Sequence, residues 1–259
     1  MRMMKKVLGT VTVLALSVSL LAGCGSTAAS PVSSAASTAA ESTTSSVVSE
    51  TTSAAADENE AAAAQLLNDL TGSYQELWPV ILADEYKQTW LDDCTALVGE
   101  ENAEAAFEKL SSMVTSDVYG EDAVEAYANG GGAYFCGFTN SLATLTFDGE
   151  TSTISGTDKD GNVLFSHTYH YIGMEPVHEL YEFESDDADS GEFTYFFLAP
   201  DISAETYHIE FRYGSDAEAL SQYDAGEYAY WVASGISTDC DQTMIDNCIE
   251  LFCTENLAG

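Results

Sequence analysis

The chain has 259 residues, of which 43 are acidic and seven are Lys or Arg, and its formal net charge is −36. So large an excess of acids excludes nucleic-acid binding, because phosphate contacts need clustered Lys and Arg side chains. The hydrophobic share of 46% is typical of a globular chain and supplies enough apolar side chains for a folded core.

The first 23 residues predict a lipoprotein signal peptide. Arg2, Lys5 and Lys6 precede an apolar stretch at residues 7–21, which is too short for a comfortable membrane span of ~20 residues. The stretch runs into L-A-G-C at residues 21–24, the lipobox pattern in which cleavage leaves a cysteine that receives acyl lipid such as palmitate. We therefore expect Cys24 to anchor the protein, without a membrane span, outside the cytoplasm at the bacterial cell surface or envelope.

A low-complexity segment separates this anchor from the folded part. Residues 25–56 consist almost wholly of Ser, Thr, Ala and Val, and none is aromatic. Such a composition cannot bury enough apolar surface to offset its ordering entropy, so residues 24–56 are predicted to be a disordered tether. Residues 57–259 are long enough for one domain. After cleavage the chain keeps four basic and 43 acidic side chains, a net charge of −39.

Five cysteines follow Cys24, and their number is odd. An exported location favours disulfides, yet at least one of the five must stay unpaired or pair with another molecule. The spacing contains no C-x-x-C, so it predicts no thiolate zinc site of the finger type and leaves the disulfide pairing open. The five are Cys94, Cys136, Cys240, Cys248 and Cys253.

The folded part divides into a helical and a β-rich segment at the glycine run of residues 130–132. Acids at 57–60 ahead of an alanine-rich stretch indicate a helix start, and helical patterns follow over 84–97, 103–113 and 121–128. Beyond the glycines, the patterns predict strands near 133–138, 142–147, 151–155, 163–172, 179–184, 193–198, 207–213 and 228–232. Thr238 and Asp241 are spaced to cap a terminal helix. Short strands joined by tight turns predict a mainly β domain, an antiparallel barrel with helices outside it or across one mouth.

The most informative polar residues lie in T-Y-H-I-E-F-R-Y at residues 206–213. His208 and Glu210 are two apart on a predicted strand, so they share a face with Cα atoms ~6.6 Å apart, and both can reach one metal ion. His167 and His170 are three apart on another strand, so they point to opposite faces. The sequence contains no nucleophile elbow, phosphate-binding loop or H-E-x-x-H motif, and we expect no enzymatic activity.

The order of motifs resembles the ZinT (YodA) family of zinc-binding proteins, whose domain is a lipocalin-like calycin barrel. That family carries Asp-His and Ala-Pro ahead of His-x-His-x-Phe and a glycine, then an acidic helix start, aromatic residues and a terminal helix. This chain has F-L-A-P-D-I at 197–202, H-I-E-F at 208–211, Gly214 and a terminal helix from Asp241. Similar segments are G-S-Y-Q-E-L-W-P at 72–79 and V-H-E-L-Y-E-F at 177–183, and the resemblance spans most of residues 66–259.

The resemblance implies a zinc site whose ligands depart from the family pattern. His208 matches the first histidine of His-x-His, and Glu210, also a legitimate zinc ligand, stands at the second. The histidine of Asp-His falls on Pro200 or on Asp201, of which only Asp201 can ligate. A site richer in carboxylates shifts preference from Zn²⁺ toward Mn²⁺ or Ca²⁺, and the positive charge of Arg212 on the same face favours loss of the site.

We therefore expect a lipid-anchored, non-enzymatic domain that binds a divalent metal, zinc first, and buffers it or delivers it to a metal importer. Its ligands would be His208, Glu210 and Asp201, with water or His178 completing the shell. The alternative keeps the calycin fold without metal, as a module that binds a small apolar ligand in its barrel or a protein partner through its tyrosine-rich surface.

Overall fold

The computed structural model describes residues 47–200 and 208–258, with side chains from residue 58 onward. The predicted signal peptide, the lipidation residue Cys24 and most of the predicted tether lie outside these ranges, and no described helix is long and apolar enough to cross a membrane. The helices are α1 (Val47–Asp69), α2 (Leu77–Ile81), α3 (Lys87–Val98), α4 (Ala103–Val114), α5 (Glu121–Ala128), α6 (Ala217–Leu220) and α7 (Gln242–Leu257). The strands are β1 (Gly72–Glu76), β2 (Thr144–Asp148), β3 (Thr153–Thr157), β4 (Val163–Met174), β5 (Tyr181–Ser185), β6 (Tyr195–Leu198), β7 (His208–Gly214) and β8 (Ala233–Ser237).

The eight strands form one closed antiparallel barrel. Each strand pairs with its neighbour along the chain, and β8 closes the barrel on β1, where Tyr74 lies opposite Ser237. This up-and-down order is the architecture of lipocalins, and closure leaves no open sheet edge. The predicted fold class, an antiparallel calycin-like barrel preceded by helices and followed by a C-terminal helix, is confirmed.

The barrel interior is filled by side chains. Residues that face each other across an antiparallel ladder point to the same face of the sheet. Following these pairs from strand to strand identifies the side chains that point into the barrel. Its rings touch: the centroids of Phe196 and Tyr213 lie 5.3 Å apart, and Phe138, from the segment before β2, lies 5.4 Å from Phe211. Inward side chains that are at most 6% exposed are Tyr74, Leu145, Phe147, Ile154, Phe165, Tyr169, Phe183, Phe196, Leu198, Ile209, Phe211, Tyr213 and Ala233.

One glycine shows how tight this packing is. A Cβ atom built at Gly156 of β3 would lie 2.4 Å from side-chain carbons of Leu142 and Phe165. The ladder shifts register at this position, as expected where a strand must bend to admit neighbouring side chains. The interior of the described barrel is therefore a packed core, as small eight-stranded barrels allow.

A helical layer covers the barrel on the side of β1 and β8. Ile236 of β8 points outward into a second buried cluster, formed with side chains of α2, α3, α4 and α7. Phe252 of α7 is central there, since its ring lies 4.7 Å from that of Trp78 and 6.0 Å from that of Trp90. This layer joins the N-terminal helices to the C-terminal helix, so the two chain ends of the domain stabilise each other.

Four predicted boundaries were wrong. The segment before the glycine run, where no strand was predicted, contains β1, which has a single fully buried side chain, Tyr74, and is held by pairing to both β2 and β8. The predicted strand at 133–138 makes only isolated bridges at Phe135, because Phe138 turns into the barrel. The last strand lies at Ala233–Ser237 and not at 228–232, where Trp231 is instead buried with its ring 5.0 Å from that of Tyr213. Helix α1 begins at Val47, ten residues inside the predicted tether, in a stretch of Val, Ser and Thr that its sequence did not assign to a helix.

The terminal helix follows Asp241 as predicted, but Thr238 is not its cap. Asp241 is the N-cap itself, and its carboxylate accepts a hydrogen bond from the amide of Met244 at 3.0 Å. Thr238 instead donates its hydroxyl to the carbonyl of Ser73 in β1. A cap by Asp one turn later satisfies the same exposed amides of the helix start.

Candidate functional site

The two faces of β7 have opposite chemistry. Ile209, Phe211 and Tyr213 point into the barrel and are buried. His208 and Glu210 share the outer face, where the ladder sets them opposite Ile236 and Ser234 of β8, and both are half-buried. The sequence prediction that these two side chains lie on one face, opposite the apolar face, is confirmed.

Arg212 lies on the same outer face and is fully buried. Its guanidinium donates hydrogen bonds to the carbonyls of Leu220, Gln222 and Tyr228, in the segment that crosses the outside of β7. The guanidinium carbon lies 4.2 Å from the ring centroid of Tyr223. Burial lowers the pKa of Arg212. The positive guanidinium points at the carbonyls of Leu220, Gln222 and Tyr228. The cation that was expected to oppose a metal ion therefore has a structural partner.

Glu210 lies between two groups whose ionisation it opposes. Burial raises the pKa of Cys136 to about 12, and the charge of Glu210 adds to this effect. Burial likewise raises the pKa of Tyr223, with Glu175 and Glu210 adding to the shift and Arg212 opposing it. Cys136 reaches this place because its carbonyl accepts the amide of Ser234, the ladder partner of Glu210. The carboxylate of Glu210 thus adds negative charge at the outer face of β7, close enough to Tyr223 to influence its ionisation.

His178 lies in the turn between β4 and β5. Its ring centroid is 3.7 Å from that of Tyr223, and its Nδ1 is 3.3 Å from Oε2 of Glu175. Glu175 is 1% exposed and accepts the amides of Val177 and His178 at 2.9 and 2.6 Å. These contacts hold His178 to the turn and to Tyr223. No motif in the sequence pointed to Glu175 or Tyr223, because they join the site only through folding.

The two histidines of β4 point to opposite faces, as the spacing predicted. His167 Nδ1 lies 2.7 Å from a carboxylate oxygen of Asp187, and His170 Nδ1 lies 2.7 Å from one of Asp186. Each histidine therefore has its own carboxylate, supplied by the residues that directly follow β5. They form two separate pairs and do not converge on a common point.

Within the described ranges, no group of three or more His, Cys, Asp or Glu side chains is arranged to hold a metal ion. The structure therefore brings His208 and Glu210 to one face but does not gather His178 with them. Asp201, the third predicted ligand, lies outside the described residues. It is two residues along the chain from Ala199, whose amide donates to the carbonyl of Glu210 at 3.0 Å.

Comparisons with known proteins give structural neighbours and no sequence relatives. The sequence matches no protein-family model and no curated protein. The structure is similar to the Zn(II)-bound ZinT-like domain of AdcA from Streptococcus pneumoniae, with a TM-score of 0.44 and 14% identity over 70% of this chain and 87% of that chain. It is also similar to Zn(II)-bound AdcA of the same organism, with a TM-score of 0.41 and 13% identity over 71% of this chain and 34% of that chain.

Proposed function

We propose that this domain binds a divalent cation, zinc first, outside the cytoplasmic membrane, and that it buffers the ion or passes it to a metal importer without catalysing a reaction. The observation that carries the proposal is the outer face of β7, where an imidazole and a carboxylate lie two residues apart and half-buried. Nitrogen and oxygen donors of this kind suit Zn²⁺, and a donor set weighted to carboxylates also admits Mn²⁺ or Ca²⁺.

The ligands in this proposal are His208, Glu210 and Asp201. The motif order around them supports membership of the ZinT family. The guanidinium of Arg212 keeps its positive charge but is held by the carbonyls of Leu220, Gln222 and Tyr228. The strongly acidic surface, with a net charge of −36 for the whole chain, attracts cations and raises their local concentration. The fourth ligand would be water or His178.

The packed interior argues against the alternative of an apolar ligand inside the barrel. Inward rings such as Phe196 and Phe211 are at most 1% exposed and contact one another. A ligand pocket of ordinary size needs several hundred Å³ of open space. Binding there would require displacement of several aromatic side chains, whereas a cation on the outer face of β7 requires none.

Calorimetric titration of the full chain with Zn²⁺, Mn²⁺ and Ca²⁺ tests the proposal. We expect one ion per chain, and His208→Ala or Glu210→Gln should weaken binding on the order of 100-fold, because each removes one ligand of a small set. His170→Ala is the matched control, since that exposed histidine pairs with Asp186 away from β7, and it should bind normally. No heat with any ion, or equal binding by wild type and His208→Ala, would reject the site.

Two further variants define the rest of the shell. Asp201→Asn should weaken binding as strongly as Glu210→Gln, and unchanged affinity would remove Asp201 from the ligand set. His178→Ala decides the fourth position: weakened binding assigns it to His178, and unchanged binding assigns it to water.

The proposed location also has a direct test. We propose that Cys24 is lipidated, because Arg2, Lys5 and Lys6, the apolar stretch and L-A-G-C all agree. Cells fed an alkyne analogue of palmitate should label the wild-type protein in the membrane fraction. Cys24→Ser should not be labelled, whereas Cys136→Ser, which leaves the lipobox intact, should be. Equal labelling of wild type and Cys24→Ser would contradict the assignment.

A further inference from the structure

Two cysteines of the helical layer lie side by side. The Sγ atoms of Cys94 in α3 and Cys253 in α7 are 3.9 Å apart, and both residues are 0% exposed. They come from positions 159 residues apart in the sequence, so only the fold brings them together. A disulfide needs its sulfur atoms at about 2.05 Å, a distance that small side-chain rotations in two packed helices can supply.

The contacts around the pair keep the two helices in register. Trp90, one turn before Cys94, and Phe252, next to Cys253, have ring centroids 6.0 Å apart. This edge-to-face contact beside the cysteine pair helps to hold the facing helix surfaces together. The two thiols therefore meet inside a fixed interface and not at a mobile loop.

Charges on the same two helices oppose their association. Burial raises the pKa of Asp93 in α3, and the nearby Glu250 and Asp246 of α7 add to this shift. Like charges across a helix interface favour separation of the helices. A covalent link beside these acids would hold α3 and α7 together in spite of the repulsion.

We propose that Cys94 and Cys253 are joined by a disulfide in the exported protein, which links α3 covalently to α7. This proposal does not depend on metal binding. An oxidising location outside the cytoplasm is the setting in which such bonds form and persist. The link would close a loop that contains strands β2 to β8, and it would connect α3 to the last helix of the domain.

The chemistry is thiol–disulfide exchange with an oxidised dithiol protein or with glutathione disulfide. One cysteine thiolate attacks the oxidant's disulfide, forms a mixed disulfide and releases one thiolate. The second cysteine thiolate attacks the mixed disulfide, forms the bond between Cys94 and Cys253, and releases the other thiolate. Two electrons pass to the oxidant, and the two protons of the cysteines end on its thiols.

The bond should form while the chain folds. Burial is the main cause that raises the pKa of both thiols in the folded protein, and the neighbouring Cys94 adds to the shift at Cys253. Since the thiolate is the reactive form, a fully buried, protonated pair exchanges slowly. The same burial protects the bond from reductants once it has formed.

Peptide mapping tests the proposal directly. The full chain is exported from a bacterial host, denatured in excess iodoacetamide without reductant and cut with glutamyl endopeptidase. Cleavage after Glu gives Cys94 in peptide 86–100 and Cys253 in peptide 251–255, while Cys240 and Cys248 fall together in 228–250. We expect peptides 86–100 and 251–255 to be recovered joined and to separate on reduction. Recovery of both as alkylated thiols, or joined to other cysteine peptides, would overturn the proposal.

Variants and a melting experiment complete the test. Cys94→Ala should release Cys253 as an alkylated thiol, whereas Cys248→Ala, on the same helix, should keep the linked peptides. Wild-type protein refolded with glutathione disulfide should melt roughly 10 °C above the same protein refolded with a phosphine reductant, because a long loop is closed. Equal melting temperatures would count against a stabilising bond. The peptide map of the wild-type chain decides whether the bond exists even if a cysteine variant fails to fold.

Discussion

Strand β7 presents two surfaces of opposite character, and they differ in burial as well as in polarity. The inner face, with Ile209, Phe211 and Tyr213, is buried along its whole length. The outer face changes along the strand: Arg212 is fully buried, whereas His208 and Glu210 are half-buried. One side of the strand thus belongs to the core. The other side carries a structural residue, Arg212, and a candidate ligand pair, His208 and Glu210.

The difference shows how a polar residue is assigned a role by its surroundings. A buried charge is tolerated only when hydrogen bonds replace its lost hydration, and Arg212 meets this condition with three carbonyls of the crossing segment. His208 and Glu210 lie nearer the start of β7 than Arg212 does, and they keep partial access to solvent. Substitutions in β7 should therefore separate effects on folding from effects on metal binding.

The largest effect is expected on the inner face. Phe211→Ala should lower the free energy of unfolding by ~4 kcal/mol, because it removes a fully buried ring and leaves a cavity. Phe211→Leu, which keeps most of the volume, should cost much less. Urea denaturation followed by circular dichroism measures both. A loss of less than ~1 kcal/mol for the alanine variant would contradict a packed interior.

The next effect is expected at the buried end of the outer face. Arg212→Met should lower the free energy of unfolding by ~3 kcal/mol, since it leaves three carbonyls without their donor while keeping the aliphatic volume. Lys159→Met is the control, because the Lys159 side chain is 82% exposed and pairs with its neighbour Asp160. The control should change stability by less than ~0.5 kcal/mol. Equal stabilities of the two variants would refute the structural role of Arg212.

The half-buried end of the same face should give a different signature. With zinc at 100 times its Kd, wild-type protein should gain ~2.7 kcal/mol of stability by linkage. His208→Ala should lose this zinc-dependent gain while its melting temperature without zinc stays close to wild type. Differential scanning calorimetry with and without zinc separates the two quantities. A variant destabilised equally in both conditions would make His208 a structural residue.

The smallest effect is a pH dependence on the inner face. Burial raises the pKa of Tyr213 above its ordinary value of 10.0, so the folded state keeps the phenol protonated at a pH where the unfolded chain ionises. This contribution to stability is fully present below pH 10 and is lost as the pH rises further. Tyr213→Phe should therefore weaken the alkaline decline by up to ~1.4 kcal/mol per pH unit above pH 10. Denaturant melts at pH 8, 10 and 11 measure the slopes, and identical slopes would contradict the burial of an ionisable phenol.

The variant Tyr213→Phe also carries a cost at neutral pH. The hydroxyl accepts the amide of Thr139 and donates to its carbonyl, at 2.6 and 3.0 Å. Loss of both bonds should lower the free energy of unfolding by ~1 kcal/mol at pH 7. A comparison of slopes rather than of absolute stabilities keeps the two effects apart.

The sequence by itself determined the class of the fold and the face on which each residue of β7 lies. Period-two alternation depends only on backbone geometry, so the pattern at 207–213 fixed His208 and Glu210 on one side and the aromatic residues on the other. Turn signals and helix caps likewise set most elements within a few residues, because these interactions are local. The antiparallel barrel followed from many short strands in succession.

Only the tertiary structure decided what depends on distant partners. Strand β1 exists because β2 and β8 both pair with it, and no local pattern reveals such closure. The buried partners of Arg212, the packing of His178 on Tyr223 and the meeting of Cys94 with Cys253 all join residues from different elements of the chain. Such contacts arise from packing of whole elements, and local periodicity carries no information about which elements meet.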